Sequence, residues 1–251
     1  MVLLTAALPS AMSQTCGVPI QQAQQLETSG IEAQYQEQIQ QLHANRGSRD
    51  EVLTVPVVIY LVHPDGTPPG VDEVPSTSVV QDGLDVLNTV WNGGTHCGVD
   101  LSDANPQVQF CLAQRDIRGQ ATSGIEVISS STYASLDQCT EEEGLKTLPR
   151  QSTDRFPTTD YLNIYLVEEI CASCSPYDCD IGGFSSYSSV HGKTEDGIVL
   201  EYRTWPGVGN DCRLTTTLHH ELGHYFNLLH TFRGGCTNDD CLADGDKVCD
   251  T

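Results

Sequence analysis

The sequence has few basic residues: 12 lysines and arginines stand against 34 aspartates and glutamates, giving a formal net charge of −22. A field of that sign repels nucleic acid and anionic membranes, which excludes both as expected partners, and it favours bound cations. The chain also lacks any run of 18 apolar residues, so no transmembrane helix is expected. At 251 residues it is long enough for one domain with a short leader.

Cysteine, in contrast, is plentiful, and eleven in one chain indicate an oxidising compartment. Cys16 stands alone near the N-terminus, while ten lie between Cys97 and Cys249. We expect those ten to pair as five disulfides and leave Cys16 free. A second zinc site is the alternative for one group, but no fourth ligand follows at a suitable spacing, so disulfides are favoured there; the group is Cys171, Cys174 and Cys179.

The N-terminal part divides into two segments. Residues 1–13 contain a short apolar stretch followed by small residues, which predicts the remnant of a secretory signal; an ordinary apolar N-terminus is the alternative. Residues 14–49 are polar and glutamine-rich, with apolar residues at helical spacing and an exposed linker at their end, a layout typical of a propeptide. The main domain is predicted to be residues 50–251.

The main domain opens with alternating strands and helices. The apolar run Val57–Val62 predicts a buried strand, with Pro56 allowed only at its start. Ser76 or Ser78 can cap a helix that ends at Gly93. Three further strands and one edge strand are predicted: Gln107–Ala113, Tyr161–Val167, Gly197–Tyr202 and the edge Gly182–Ser189. This order predicts an α+β fold with a twisted, mostly parallel five-stranded sheet backed by two helices.

The second helix carries a group of histidines. Leu214–Leu229 has apolar or aromatic residues at i, i+4, i+7, i+8 and i+11, which predicts an amphipathic helix. His220 and His224 are four apart and project from one face, close enough to bind one metal ion. His230 supplies a third imidazole, which leaves the fourth zinc position open. Glu221 stands beside the first ligand, where a general base acting on water belongs.

The alternative is that these are structural histidines on an amphipathic helix. That is the default for any single histidine, but three at this spacing together with Glu221 disfavour it. His219 lacks the four-residue relation to His224. We therefore predict that His219 is a bystander, partly exposed or donating to a ligand.

The run Thr217–Phe232 resembles the pappalysin family of metzincin peptidases through its HExxHxxNxxH pattern. Shorter resembling segments extend the similarity from about residue 50 to the end: Val55–Tyr60, Gln109–Ala113, Tyr161–Tyr165, Gly197–Leu200 and Gly245–Thr251. The resemblance implies a zincin-like fold with a backing helix and an active-site helix. It also implies catalytic zinc on His220, His224 and His230, with Glu221 as the base.

Two positions depart from the family pattern. Asn227 stands where most metzincins have a glycine that turns the chain out of the helix; asparagine tolerates a left-handed backbone, so the turn is still expected. The only methionines are Met1 and Met12, so the downstream methionine turn is missing. We therefore expect a chain that lacks most of the C-terminal subdomain.

Thr15-Cys16-Gly17 resembles the cysteine switch of some pappalysins, in which a thiolate occupies the open zinc position. Thiolate is a strong zinc ligand and would displace the catalytic water. A latency role for Cys16 is therefore predicted, with a disulfide or a plain surface cysteine as the alternative.

An acidic segment follows the histidine helix. Dense carboxylates repel one another unless a hard cation neutralises them, and related pappalysins bind calcium near the equivalent segment. A structural Ca²⁺ is predicted, with a solvated acidic loop as the alternative. The candidate oxygen donors are Asp239, Asp240, Asp244, Asp246 and Asp250.

The leading functional prediction is a secreted zinc endopeptidase that acts on protein or peptide substrates through activated water. The alternative is a catalytically inactive extracellular interaction module that binds zinc and calcium. The retained Glu221 disfavours it, because a purely structural site has no need of that carboxylate. A zinc hydrolase of non-peptide substrates is disfavoured because the edge strand suits an extended peptide.

Overall fold

The computed structural model describes residues 52–102, 106–150, 154–174, 179, 181–208 and 212–231. Four helices are defined: α1 (Thr77–Trp91), α2 (Ser131–Ala134), α3 (Gln138–Thr147) and α4 (Cys212–Tyr225). The strands are β1 (Leu53–His63), β2 (Thr95–His96), β3 (Val99–Asp100), β4 (Val108–Leu112), β5 (Ile125–Ser129), β6 (Ser135–Asp137), β7 (Leu162–Val167), β8 (Glu169–Cys171), β9 (Gly183–Ser185) and β10 (Ile198–Glu201).

The central sheet is built around β1, whose burial increases along its length until every residue is covered. β7 pairs with it in parallel on one side, and β10 follows β7, also in parallel. On the other side β4 and β5 occupy the same sheet position one after the other, β4 beside Leu53–Val57 and β5 beside Ile59–His63. β9 is antiparallel to β10 and is the outermost described strand at the edge beyond β7 and β10, opposite to β4. Six strands therefore fill five positions, and the predicted mostly parallel sheet is confirmed.

Pro56 lies inside β1, not at its start as predicted, because the strand begins at Leu53. The nitrogen of Leu53 donates to Gln107 on the β4 side, so the alternation of the backbone points the nitrogen of Pro56 to the other side. Pairing with β7 begins only at Val57. The missing N–H of proline therefore costs the sheet no hydrogen bond.

Helices α1 and α4 pack on the same face of the sheet. Ser76 caps α1 by accepting a hydrogen bond from the nitrogen of Val79, which confirms the predicted start. One cluster then joins both helices to the sheet: Val80, Leu84 and Leu87 of α1, Leu218 and Leu222 of α4, and Val57, Ile59 and Leu61 of β1. Each leucine buried there contributes about 1.5–3 kcal/mol. None of the described helices is long and apolar enough to cross a membrane.

The opposite face of the sheet is covered by α3, a helix that the sequence pattern did not predict. Its Leu145 joins a second cluster with Val58, Tyr60 and Val62 of β1. The neighbouring Lys146 is fully buried. Its ammonium group donates to the Glu142 carboxylate at 2.8 Å and to carbonyl oxygens of the loop before β10.

Three disulfides lie within the described residues: Cys97–Cys212, Cys139–Cys174 and Cys171–Cys179. The preference for disulfides over a second zinc site at Cys171, Cys174 and Cys179 is thus confirmed. Cys111, however, is a free thiol in the described part of the chain, so the predicted pairing of all ten cysteines is wrong. Cys111 lies on β4 and is paired with Pro56 of β1, so its partner across the sheet is not a cysteine.

Candidate metal centre

Helix α4 supplies two of the three predicted ligands and ends earlier than its apolar pattern predicts. The pattern continued to Leu229, but the helix stops at Tyr225. Asn227 has a φ of 70°, in the left-handed region, and a helix cannot continue through that conformation. The turn expected from asparagine at this position is confirmed.

The turn is closed by two backbone hydrogen bonds of the Schellman type. The nitrogen of Asn227 donates to the carbonyl of His224 at 2.7 Å, and that of Leu228 donates to the carbonyl of Gly223 at 2.8 Å. Both bonds satisfy carbonyl groups that the helix end would leave unpaired. The chain therefore leaves the helix along a fixed path and returns His230 towards the helix face.

The three histidines meet at one point. The Nε2 atom of His224 lies 3.1 Å from that of His220 and 3.1 Å from that of His230, and the third side of the triangle is 3.2 Å. Three imidazole nitrogens whose lone pairs face one another at this distance repel, unless a cation lies between them and accepts the lone pairs. Two other groups of possible metal ligands lie within the described residues, but both contain disulfide cysteines, which cannot serve as thiolate ligands.

The triangle fits zinc. Ligand nitrogens about 2.0–2.1 Å from a tetrahedral zinc ion are about 3.3 Å apart, close to the spacing of the three Nε2 atoms. Three imidazole donors suit zinc and leave one tetrahedral position for another ligand. This donor set is compatible with the predicted catalytic zinc site.

A backbone carbonyl orients the second ligand. Nδ1 of His224 lies 2.8 Å from the carbonyl oxygen of Leu228, so Nδ1–H donates and the lone pair of Nε2 faces the triangle. Leu228 is the residue that the Schellman turn positions. The helix end thus sets both the return of His230 and the tautomer of His224.

The surroundings of His220 and His224 favour the neutral form of both rings. Burial, together with the nearby His220 and His230, lowers the pKa of His224 to about 4, against the opposing hydrogen bond to Leu228. Desolvation and His230 also lower the pKa of His220, although that residue is more open to solvent than His224. Neutral imidazole is the form that binds a metal ion.

Glu221 and His219 flank the first ligand and differ in their surroundings. Glu221 is almost fully buried, with 1% of its surface exposed. His219 is half-buried and faces away from the triangle, with its ring centroid 5.0 Å from that of His96. The structure thus places His219 outside the metal cluster, but both of its ring nitrogens are buried without a hydrogen-bond partner among the described residues, so the predicted donation to a ligand is not seen.

The outermost strand leads directly into contacts with the cluster. Gly183 lets α4 approach β9, since a Cβ there would lie 3.1 Å from Cγ2 of Thr217. Two residues after β9 ends, the ring of Tyr187 packs edge-on against His224 with centroids 5.6 Å apart. Ser188 then donates to the side chain of Asn227. No local pattern in the sequence signals these contacts, because the partners are 37 and 39 residues apart.

The remaining predicted site residues lie outside the described part of the chain. These are Cys16 and the candidate calcium ligands Asp239, Asp240, Asp244, Asp246 and Asp250. The predicted leader segments, 1–13 and 14–49, lie outside it as well. Their roles stay predictions.

Comparison with known proteins finds a family model and several extracellular metalloproteases that resemble this chain. Residues 149–251 match the model of peptidase family M43, described as "Pregnancy-associated plasma protein-A". An extracellular metalloprotease of Pyricularia oryzae is 32% identical over 150 residues, 57% of this chain and 48% of that protein. One of Sordaria macrospora is 35% identical over 96 residues, 36% of this chain and 29% of that protein. The chain thus spans about half the length, or less, of these curated relatives.

Solved structures show the same fold. A mutant of promirolysin from Tannerella forsythia superposes with a TM-score of 0.63 at 22% identity, over 94% of this chain and 75% of that one. Mature mirolysin of the same organism, in complex with a cleaved peptide, superposes with a TM-score of 0.55 at 22% identity, over 80% of this chain and 72% of that one.

The sheet and its two helices have the metzincin fold of mirolysin. Within that class, the family match, the curated relatives and the solved structures confirm the predicted resemblance to the pappalysins.

Proposed function

We propose that this chain is the catalytic part of a secreted zinc-dependent endopeptidase. One observation carries the proposal: the Nε2 atoms of His220, His224 and His230 form a triangle with sides of 3.1–3.2 Å. A zinc ion held by these residues supplies a Lewis acid that polarises the scissile carbonyl and makes water nucleophilic near neutral pH.

Glu221 is the general base in this proposal. It directly follows the ligand His220 on α4, so its carboxylate is carried by the same rigid helix as the metal site. The residue is almost fully buried, so bulk solvent has little access to it. Its carboxylate takes the proton from the attacking water and returns it to the leaving amine.

The proposed substrates are extended peptides. β9 is the outermost described strand, and it leads within two residues to Tyr187, which touches the ligand His224. A peptide added along such an edge would bring its backbone beside the metal centre. The mirolysin structure with a cleaved peptide supports this class of substrate.

Secretion is supported by two observations. The three disulfides are stable in an oxidising compartment rather than in a reducing cytosol. The curated relatives are named extracellular metalloproteases.

The test is the substitution Glu221→Gln, which keeps the shape of the side chain and removes its basicity. We expect the variant to keep one zinc ion per chain and to cleave casein about 100- to 10,000-fold more slowly, because the loss of a general base costs about 10²–10⁴-fold in rate. Glu143→Gln, on the exposed side of α3 across the sheet, is the matched control and should cleave at the parent rate.

Two outcomes contradict the proposal. Cleavage by the Glu221→Gln variant at the parent rate would show that the base is wrongly assigned. A parent protein that binds zinc but cleaves no casein or gelatin, whether or not o-phenanthroline is present, would favour the inactive binding module instead.

A further inference from the structure

A hydrogen bond joins the segment after the outermost strand to the turn that follows the metal-binding helix. The hydroxyl of Ser188 donates to Oδ1 of Asn227 at 3.2 Å. Ser188 begins the short 3-10 helix Ser188–Val190, three residues after β9 ends. The bond therefore links two segments that are 39 residues apart in sequence.

Asn227 is the residue on which the geometry of two ligands depends. It lies between His224 and His230, and its left-handed backbone turns the chain back towards the helix. The same turn positions the carbonyl of Leu228, which accepts the hydrogen bond from His224. A rotation of the backbone at Asn227 would therefore move both His230 and the acceptor of His224.

The segment that carries Ser188 is itself held firmly. Ser186 donates to the buried carboxylate of Asp196 at 3.2 Å and accepts from the nitrogen of Gly197 at 2.9 Å. The next residue, Tyr187, is buried against the ring of His224. Ser188 thus offers Asn227 a fixed partner rather than a mobile loop.

At position 227, asparagine makes a side-chain hydrogen bond that glycine could not make. Glycine adopts the left-handed backbone at no steric cost, but it has no side chain for Ser188 to hold. Asparagine tolerates the same conformation and adds an anchored amide. The turn gains a fixed orientation where glycine would leave it freer to move.

We propose that Ser188 is a positioning residue of the metal centre, acting through Asn227 to hold His224 and His230 at the spacing that binds zinc. The inference rests on the proposed zinc function. It adds a contact from the predicted substrate strand that tunes metal affinity without touching the metal.

The test is the zinc dissociation constant of the full chain, measured by competition with a chromophoric chelator. Ser188→Ala should weaken zinc binding about three- to tenfold, the loss of one neutral hydrogen bond behind a ligand. Ser188→Thr, which keeps the hydroxyl, should bind within about twofold of the parent. Ser189→Ala is the matched control, because that neighbouring hydroxyl does not bond to Asn227. Circular dichroism and the thermal midpoint of the zinc-free variants check that each one folds.

A second background shows whether the effect passes through Asn227. In Asn227→Gly the amide is gone, so adding Ser188→Ala should change zinc affinity by less than about twofold. An equal loss in both backgrounds, or no loss from Ser188→Ala in the parent, overturns the inference while leaving the zinc site standing. A parent chain that binds no zinc overturns the proposed function itself.

Discussion

Nδ1 of His224 donates to the carbonyl oxygen of Leu228 across 2.8 Å, so a residue beyond the end of the helix determines which nitrogen of this imidazole is free. Residues 226–229, which follow the helix and include Leu228, bring His230 to the triangle. The turn at the end of α4 is therefore part of the metal centre. Substitutions in this turn should change the positions of His224 and His230.

The backbone of Asn227 gives the first prediction. Asn227→Ala and Asn227→Gly both remove the amide held by Ser188, so the difference in stability between them does not include that hydrogen bond. Alanine at this φ costs about 1–2 kcal/mol, partly offset by the greater freedom that glycine has in the unfolded chain. We expect the alanine variant to be about 1 kcal/mol less stable than the glycine variant in urea unfolding of the zinc-free protein. Equal stabilities would mean that the turn is not left-handed in solution.

The second prediction concerns the disulfide Cys97–Cys212. It ties the first residue of α4 to the hairpin of β2 and β3, and it closes a loop of 115 residues. Replacing both cysteines by serine should cost about 4–5 kcal/mol, against about 2.5 kcal/mol for the short Cys171–Cys179 loop, because the longer loop restricts the unfolded chain more. Thermal unfolding of the two double variants measures the order, and a larger loss from the short loop would contradict it.

The third prediction concerns the buried ammonium group of Lys146. Its ammonium group is fully buried and satisfies the Glu142 carboxylate and two carbonyl oxygens of the loop that precedes β10. Lys146→Met keeps the bulk but leaves these acceptors without a donor, so we expect a loss of about 3 kcal/mol in denaturant unfolding. Lys193→Met, at an exposed position, should change stability by less than about 0.5 kcal/mol. Similar losses in the two variants would show that the buried ammonium has no special role.

The sequence predicted the elements whose patterns are local. Buried strands such as β7 read as apolar runs, and α1 has both a serine cap and a regular apolar face. The pairing of His220 and His224 followed from spacing, because residues four apart on a helix share a face. These features depend on neighbours a few residues away, so they can be predicted from local sequence patterns.

Features set by distant partners were missed. α3 has only one buried leucine in ten mainly polar residues, and its buried Lys146 is explained by a loop about 50 residues further on. β5 shares one sheet position with β4, which no periodicity reveals. The end of α4 was placed four residues too late because the apolar pattern continues past the turn at Asn227.

The most direct test of the account is the metal content of the purified chain, measured by elemental analysis on the parent and on His224→Ala. The account predicts one zinc ion per parent chain and a loss of stoichiometric zinc in the variant, because two imidazoles cannot hold the ion as three do. A parent chain without stoichiometric zinc, or a variant that keeps it, would contradict the central claim that His220, His224 and His230 form a zinc site.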